Sequence, residues 1–503
     1  MLKNFRPVFR SAFVIFALLA FTVLAAEAGV RFKVKLDPAA AKGETLSGRL
    51  LIFITAKPQP VEMIDPDFTD PNAVWITGME VSDLAANKPI WVDADALSFP
   101  APFSSAPAGD YQIMALLDRD HSYTYDGAGA GDILSSVVKA KMPAAETELT
   151  LSNPIPGPKP AVYPANVKVI DFESPALSKF WGRSIRMQAS VVLPPSYDKD
   201  PKQKFPTVYS VHGYGGDNLK SLRGVPLLMK EMTEGKRPEM IYVYLNAHCP
   251  LGHHVFADSA NNGPWGTALV NELIPNLEKQ FRMDRKPSGR FLTGHSSGGW
   301  STLWVMITHP DFFGGTWSTS PDPVDFHNFT GPDLTKYPPQ NTYTDAGGKP
   351  YNLVRMGGKE LMTVEQYAKQ EYVTGYYGGQ FASFNAVFSP KGDDGQPMKL
   401  FDRETGRIDP FVQKAWEKYD ISLILRNNWQ TLGPKLKGKI HIAVGTADTF
   451  HLDEAVRLLD AELKKLGSDA RVTYLPGKTH FDLYNDGLGL QIAQEMYAIA
   501  RPK

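Results

Sequence analysis

The 503 residues carry 53 Lys and Arg against 54 Asp and Glu, a formal net charge of -1, which excludes a polybasic nucleic-acid or membrane-surface face as the basis of function. Hydrophobic residues at 43% and charged residues at 21% belong to a globular protein, and the length exceeds what one hydrophobic core organises. Cys249 is the single cysteine, so no intramolecular disulfide framework exists.

Residues 1–28 have the layout of a secretory signal peptide. Lys3, Arg6 and Arg10 form a basic start, Ser11 to Leu24 an apolar run, and Ala26-Glu27-Ala28 an A-x-A cleavage site. The apolar run is short for a bilayer span, so cleavage near Gly29 is expected over an uncleaved anchor. No cysteine stands at the cleavage site for lipid attachment. The expectation is a bacterial protein, periplasmic or secreted, with no membrane insertion after cleavage.

From 29 to 153 short alternating runs are separated by Pro, Gly, Asp and Asn. Val30 to Leu36 alternates cleanly, and Leu46 to Thr55, Ala73 to Thr77 and Tyr111 to Asp118 are further strands. With no amphipathic helix among them, the spacing predicts an all-β, immunoglobulin-like sandwich serving as an accessory domain. The proline-rich stretch over 154–165 predicts a semi-rigid linker.

Residues 166–503 change to an alternation of strand and helix, which predicts a doubly wound α/β domain. Strands are expected at Val167 to Phe172, Ile185 to Leu193, Thr207 to Val211, Ile241 to Leu245, Arg290 to Thr293, Gly315 to Ser318, Ile440 to Val444 and Arg471 to Leu475. A helix from Trp265 to Phe281 carries Trp265, Leu269, Leu273, Leu277 and Phe281 on one face and is bent by Pro275. A second, Leu452 to Leu466, has acids in its first turn, lysines in its last, and Gly467 as C-cap. Between about 323 and 438 lies an insertion rich in Tyr, Phe, Gly, Asn and Pro, too long for a structureless loop and expected to fold as a cap over the sheet's edge.

The chemistry centres on Gly294-His295-Ser296-Ser297-Gly298. This is the G-x-S-x-G pattern, placed after a strand and before a helix. A serine on such a turn needs small residues two before and two after it, and the following helix aims its N-terminal N–H groups at the serine oxygen. Ser296 is therefore the candidate nucleophile. A serine needs a base, and the base needs a third group to fix its tautomer. In chain order these are Asp448, in Gly-Thr-Ala-Asp at the end of one strand, and His480, on the loop after the next. Taken singly, Asp448 reads as a helix cap and His480 as a solvated loop residue; order and strand-end placement together favour catalysis. Asp453 and Asp482 are rival acids, His295 and His451 rival bases. His212-Gly213-Tyr214-Gly215-Gly216 ends the strand upstream of the serine, where an oxyanion loop belongs, and the backbone N–H groups of Tyr214 and Ser297 are the candidate donors.

His212, His253, His254 and His295 are candidates for substrate contact. His248, Cys249, His253 and His254 fit no familiar zinc spacing. Asp118, Asp120, Asp126 and Asp132 lack the EF-hand spacing. No metal or cofactor is expected.

With these residues in place, the chain resembles the esterase D-like family of α/β-hydrolases, the group of feruloyl and acetyl-xylan esterases, enterochelin esterase, S-formylglutathione hydrolase and the mycolyltransferases. The matching pieces are VVLPPSYD (191–198), HGYGG (212–216), NELIPNLEKQFR (271–282), GHSSGGW (294–300), HPDFFGGTWSTSP (309–321), GTAD (445–448) and His480. The resemblance spans about 166–503. It implies Ser296 as nucleophile, Asp448 as acid and His480 as base, with the Tyr214 and Ser297 amides as oxyanion hole. The long insertion departs from the family pattern. The expected function is an exported serine carboxylesterase acting on a small-molecule or glycan ester, with carbohydrate and siderophore esters as the classes considered. Acyl transfer to a sugar or lipid acceptor, and a non-catalytic glycan-binding protein, are the alternatives.

Overall fold

The computed structural model describes residues 29–86, 88–143, 146–157 and 161–502. The expected signal peptide lies outside them, and among the described residues no helix is long and apolar enough to cross a membrane.

Among the described residues, 29–154 form nine strands, the four-residue helices Pro38–Ala41 and Tyr123–Asp126, and a 3₁₀ turn at Phe103–Ser105. The strands make one hydrogen-bonded path, in the order Ile90–Asp93, Arg31–Leu36, Glu146–Pro154, Ile133–Ser135, Gly109–Asp118, Leu46–Thr55, Val74–Leu84 and Ser98–Phe99, with Val138–Met142 also paired to Gly109–Asp118. Phe32 and Val34, near one end of the path, share a core with Leu50, Ile52, Ile54, Ile113 and Leu117 from its middle.

The middle strands explain why this region is no free-standing module. Successive strand residues point to opposite faces, yet Leu-Leu-Ile-Phe-Ile (50–54) is apolar throughout and fully buried. Such a run means that both faces are covered. Leu50, Ile52 and Ile54 face the domain's own core; Leu51 and Phe53, with Met114, Leu116 and Ile76, join the core of the rest of the chain. Polar contacts fix that seam. Arg49 donates to the Val373 carbonyl from Nη2 at 2.7 Å and Nε at 3.1 Å, and Gly78 lies so close that a Cβ there would stand 2.6 Å from the same oxygen.

The second sheet has eight strands in the order Val167–Glu173, Arg186–Val192, Ile241–Leu245, Thr207–Val211, Arg290–His295, Gly315–Thr319, Ile440–Gly445 and Arg471–Leu475. Arg186–Val192 runs antiparallel to both of its neighbours, and the pairs from Ile241–Leu245 onward are parallel. This is the α/β-hydrolase layout, with the carboxyl ends of six parallel strands gathered on one side. The helix around Pro275 departs from a simple bend: α turns at Trp265–Ala268 and Ile274–Gln280 flank a π segment, Leu269–Leu273. Proline offers no N–H to an i→i−4 bond, and the widened turn absorbs the mismatch. The helix Leu452–Lys465 forms as expected, with Gly467 at φ +68.

The insertion is a folded layer. It holds the hairpin Asn352–Met356 and Lys359–Thr363 and the helices Val364–Thr374, Gln380–Phe388, Pro410–Trp416 and Ile421–Leu436. Within it, fully buried Glu371 accepts the backbone N–H groups of Phe381 (2.9 Å) and Ala382 (3.0 Å) and pairs with Arg403 at 2.9 Å. The carboxylate thus caps the helix Gln380–Phe388 and ties two parts of the layer together.

Candidate active site

Ser296 sits between the strand Arg290–His295 and the helix Ser297–Thr308 at φ 60, ψ −125, a backbone region that L-residues seldom enter. Its N–H donates to the Thr319 carbonyl at 3.0 Å and its carbonyl accepts from Trp300 and Asp322. The flanking glycines have the expected steric cause. A Cβ on Gly294 would lie 2.2 Å from the Gly298 carbonyl oxygen, and one on Gly298 would lie 2.1 Å from that of Val211.

Asp448 and His480 meet on the same side of the sheet. His480 Nδ1 lies 3.0 Å from Asp448 Oδ2, and both side chains are buried. The other carboxylate oxygen, Oδ1, accepts the N–H groups of Phe450 at 3.0 Å and Leu452 at 3.4 Å. Burial acts to raise the Asp448 pKa, but the bond to His480, the imidazole's charge and the Phe450 N–H outweigh it, leaving the carboxyl below its ordinary value. With Nδ1 held, Nε2 is the nitrogen free to exchange a proton. Among the described residues no hydrogen bond joins Ser296 to His480; such bonds are often long in free enzymes and tighten when substrate binds.

The loop after Thr207–Val211 passes directly over the serine, with the Cβ position of Gly213 3.1 Å from Ser296 Cβ. His212 aims it. The Ala247 N–H donates to His212 Nε2 at 2.9 Å, so the ring's proton is on Nδ1, which donates to the Gly213 carbonyl at 2.7 Å. A peptide unit whose C=O is held this way turns the Tyr214 N–H to the opposite side. Burial holds the His212 pKa below its ordinary value, which keeps this neutral tautomer.

Ser296, His480, Tyr214 and His295 line one cavity of about 610 Å³. Most of its wall is apolar and aromatic, with Tyr367, Phe381 and Phe384 from the insertion and Phe450 and Phe481 from the loops around Asp448 and His480. Among the described residues, Asp322 is its one carboxylate. It follows the strand Gly315–Thr319, is buried, accepts the Ser297 hydroxyl at 2.6 Å and the Gln380 amide at 3.3 Å, and lines the cavity. Burial pushes its pKa up to about 6 against the opposing effects of Ser297, His480, Gln380 and Ser296. The residue types alone did not single out Asp322, although a carboxylate just past a parallel strand is the same signal that marks Asp448.

Three of the four histidines expected at the substrate do not reach this cavity. His212 lines a different cavity and acts on the loop backbone. His253 and His254 are buried. His253 Nε2 donates to the His212 carbonyl at 2.9 Å while its Nδ1 accepts the Val255 N–H, and His254 stacks on Trp265 at 3.8 Å. Burial drives both far below the ordinary histidine pKa, so they are neutral packing groups. His295 does line the cavity; its ring lies 4.3 Å from that of His480, and burial takes its pKa down to about 3. The rival acids are engaged elsewhere. Asp453 pairs with Arg355 at 2.7 Å, and Asp482 accepts the N–H and hydroxyl of Thr479. His451 faces Glu360 and Glu454. The carboxylates of Asp118, Asp120 and Asp132 lie together, but they accept loop N–H groups, those of Ser122, Tyr123, Arg119 and Gly129 among them.

The profile of the Esterase family ("Putative esterase") matches residues 183–481. Two curated relatives match shorter stretches. The uncharacterized protein YbbA of Bacillus subtilis is 26% identical over 142 residues, covering 26% of this chain and 55% of that protein. An endo-1,4-beta-xylanase/feruloyl esterase of Xylanibacter ruminicola is 28% identical over 145 residues, covering 27% of this chain and 20% of its own length. Among solved structures, a ferulic acid esterase aligns at TM-score 0.43 and 15% identity over 66% of this chain and 98% of that one. The family match covers the serine elbow, Asp448 and His480 together, over more than half of the chain, and the chain belongs to the Esterase family.

Proposed function

We propose that the protein is a serine carboxylesterase in which Ser296 attacks the ester carbonyl, His480 takes and returns the proton, and Asp448 holds the imidazole. The observation that carries this is the buried 3.0 Å bond from Asp448 to His480 Nδ1, on the same cavity as a serine at φ 60. The Ser297 N–H at the helix start and the Tyr214 N–H, turned by His212, receive the developing oxyanion. The alcohol departs with the proton from His480, and water releases the acyl group by the reverse path. The aromatic wall of the cavity supports an ester with a sizeable apolar or ring-bearing part, and carbohydrate or siderophore esters bearing such groups are the class to test first. The A-x-A site before Gly29 supports export with cleavage there.

One experiment addresses each element. Exported wild-type protein treated with a fluorophosphonate should carry one label, on Ser296, and have an intact mass starting near Gly29. Ser296→Ala should take no label and lose about 10⁴-fold or more in kcat. Near-wild-type ester hydrolysis by Ser296→Ala refutes the mechanism.

A further inference from the structure

The β domain expected as a separate accessory module reaches the reacting centre at two places. The first is the cavity wall. The loop between Leu46–Thr55 and Val74–Leu84 carries Phe68, which lines the cavity beside Ser296 and His480. Its ring packs against Phe481 at 6.1 Å and Phe450 at 6.2 Å, the residues that flank His480 and Asp448 in sequence. The loop is itself anchored, with Asp67 accepting the Thr69 N–H at 2.8 Å and Asp65 accepting the Tyr123 hydroxyl at 3.1 Å.

The second place is the glycine loop over the serine. Tyr125, in the short helix Tyr123–Asp126, donates its hydroxyl to the Gly216 carbonyl at 3.0 Å, and its ring meets that of Tyr214 edge-on at 4.9 Å. The Tyr214 hydroxyl in turn lies 2.7 Å from the Thr124 carbonyl and 2.8 Å from that of Gly378. Asp126 holds Lys220 at 2.7 Å, and the same ammonium donates to the Gly215 carbonyl at 2.9 Å. Three successive residues of a glycine-rich loop are thus gripped from the β domain. Gly213, Gly215 and Gly216 give this loop little rigidity of its own, and an oxyanion donor works only if its place is set before the reaction.

From this geometry we infer that the N-terminal β domain is a working part of the ester-binding site, with Tyr125 and Asp126 positioning the oxyanion loop and Phe68 forming a specificity-determining wall. The inference rests on the serine mechanism proposed above. It predicts two separable defects. Tyr125→Phe keeps the ring contacts and removes only the bond to Gly216, so kcat should fall about tenfold, KM should stay within twofold, and phosphonylation by a fluorophosphonate should slow by the same factor. Phe68→Ala opens the wall, so KM for a bulky aryl ester should rise roughly fivefold while that for a small acetate ester changes less than twofold.

The test is steady-state kinetics on the exported, full-length protein with both esters, alongside the labelling rate. Should Tyr125→Phe fold poorly, Asp126→Asn gives the same kcat readout through Lys220. Either variant matching wild type on its own readout overturns the inference. Ser296→Ala separates the two levels. If it is inactive while Tyr125→Phe is unimpaired, this inference alone fails; if it stays active, the mechanism beneath it fails.

Discussion

Replacing Asp448 by Asn tests the proposed mechanism at a single atom, because the surroundings dictate how the amide must lie. Oδ1 accepts two backbone N–H groups, from Phe450 and Leu452, while Oδ2 faces His480 Nδ1. An asparagine can turn its NH₂ to either side. Turned toward the backbone, it sets a donor against two donors, each unmet group costing about 1–3 kcal/mol. Turned toward His480, it keeps both backbone bonds and points a donor at Nδ1. The second arrangement wins by about 2 kcal/mol or more, so His480 must accept at Nδ1 and carry its proton on Nε2, where it cannot take the one from Ser296. The imidazolium also loses its counter-charge. The expected fall in kcat is about 10⁴-fold, with KM little changed and the melting temperature within a few degrees of wild type. Stopped-flow or steady-state hydrolysis of an activated aryl ester measures it. Retention of a tenth or more of wild-type kcat would refute the assignment and move the acid's role to Asp322, the buried carboxyl that lines the cavity.

Asp322→Asn should change the pH profile in a defined direction. The wild-type carboxyl, raised to about 6 by burial, is neutral at pH 5 and charged at pH 8, where it favours the His480 imidazolium; the wild-type to variant ratio of kcat/KM should therefore climb from about 1 at pH 5 to as much as tenfold at pH 8. A ratio that is flat or falls as pH rises contradicts this. Glu371→Gln leaves Arg403 buried without its counter-charge and weakens the cap on the helix Gln380–Phe388, so denaturant unfolding should show a loss of about 3–5 kcal/mol; a loss below about 1 kcal/mol would mean the pair does not hold the insertion.

Legibility along the chain follows the range of the interactions involved. The strands Thr207–Val211 and Ile241–Leu245 have the bounds their apolar runs predict, because a buried parallel strand writes its identity in a few adjacent residues. The serine turn was equally readable: its glycines answer to contacts inside 211–298, where a methyl group would strike Val211 or Gly298. Asp448 and His480 are far apart in sequence, yet each follows a strand, and strand ends converge by topology. His253 and His254 were misjudged for the converse reason. A histidine's chemistry depends on whether water reaches it, and the elements that bury these two come partly from residues near 383, whose position no local pattern reveals.

The role of the β domain is hidden in a different way, by the pattern of the segment that precedes the α/β part of the chain. A proline-rich connection between an all-β segment and an α/β segment reads as a semi-rigid linker. The composition of the middle strands already argued otherwise. A free sandwich facing water on its outer side alternates apolar and polar residues, whereas Leu50 to Ile54 and Ile113 to Leu117 do not alternate at all, and every one of those side chains is buried. Exposing that second face would put Leu51, Phe53, Met114 and Leu116 in water, at about 1.5–3 kcal/mol for each large side chain. The cost falls on any arrangement in which the domain swings free on its linker. It follows that the strand faces hold the domain docked, which keeps the Phe68 loop at the cavity wall and the Tyr125 helix against the glycine loop beside Ser296.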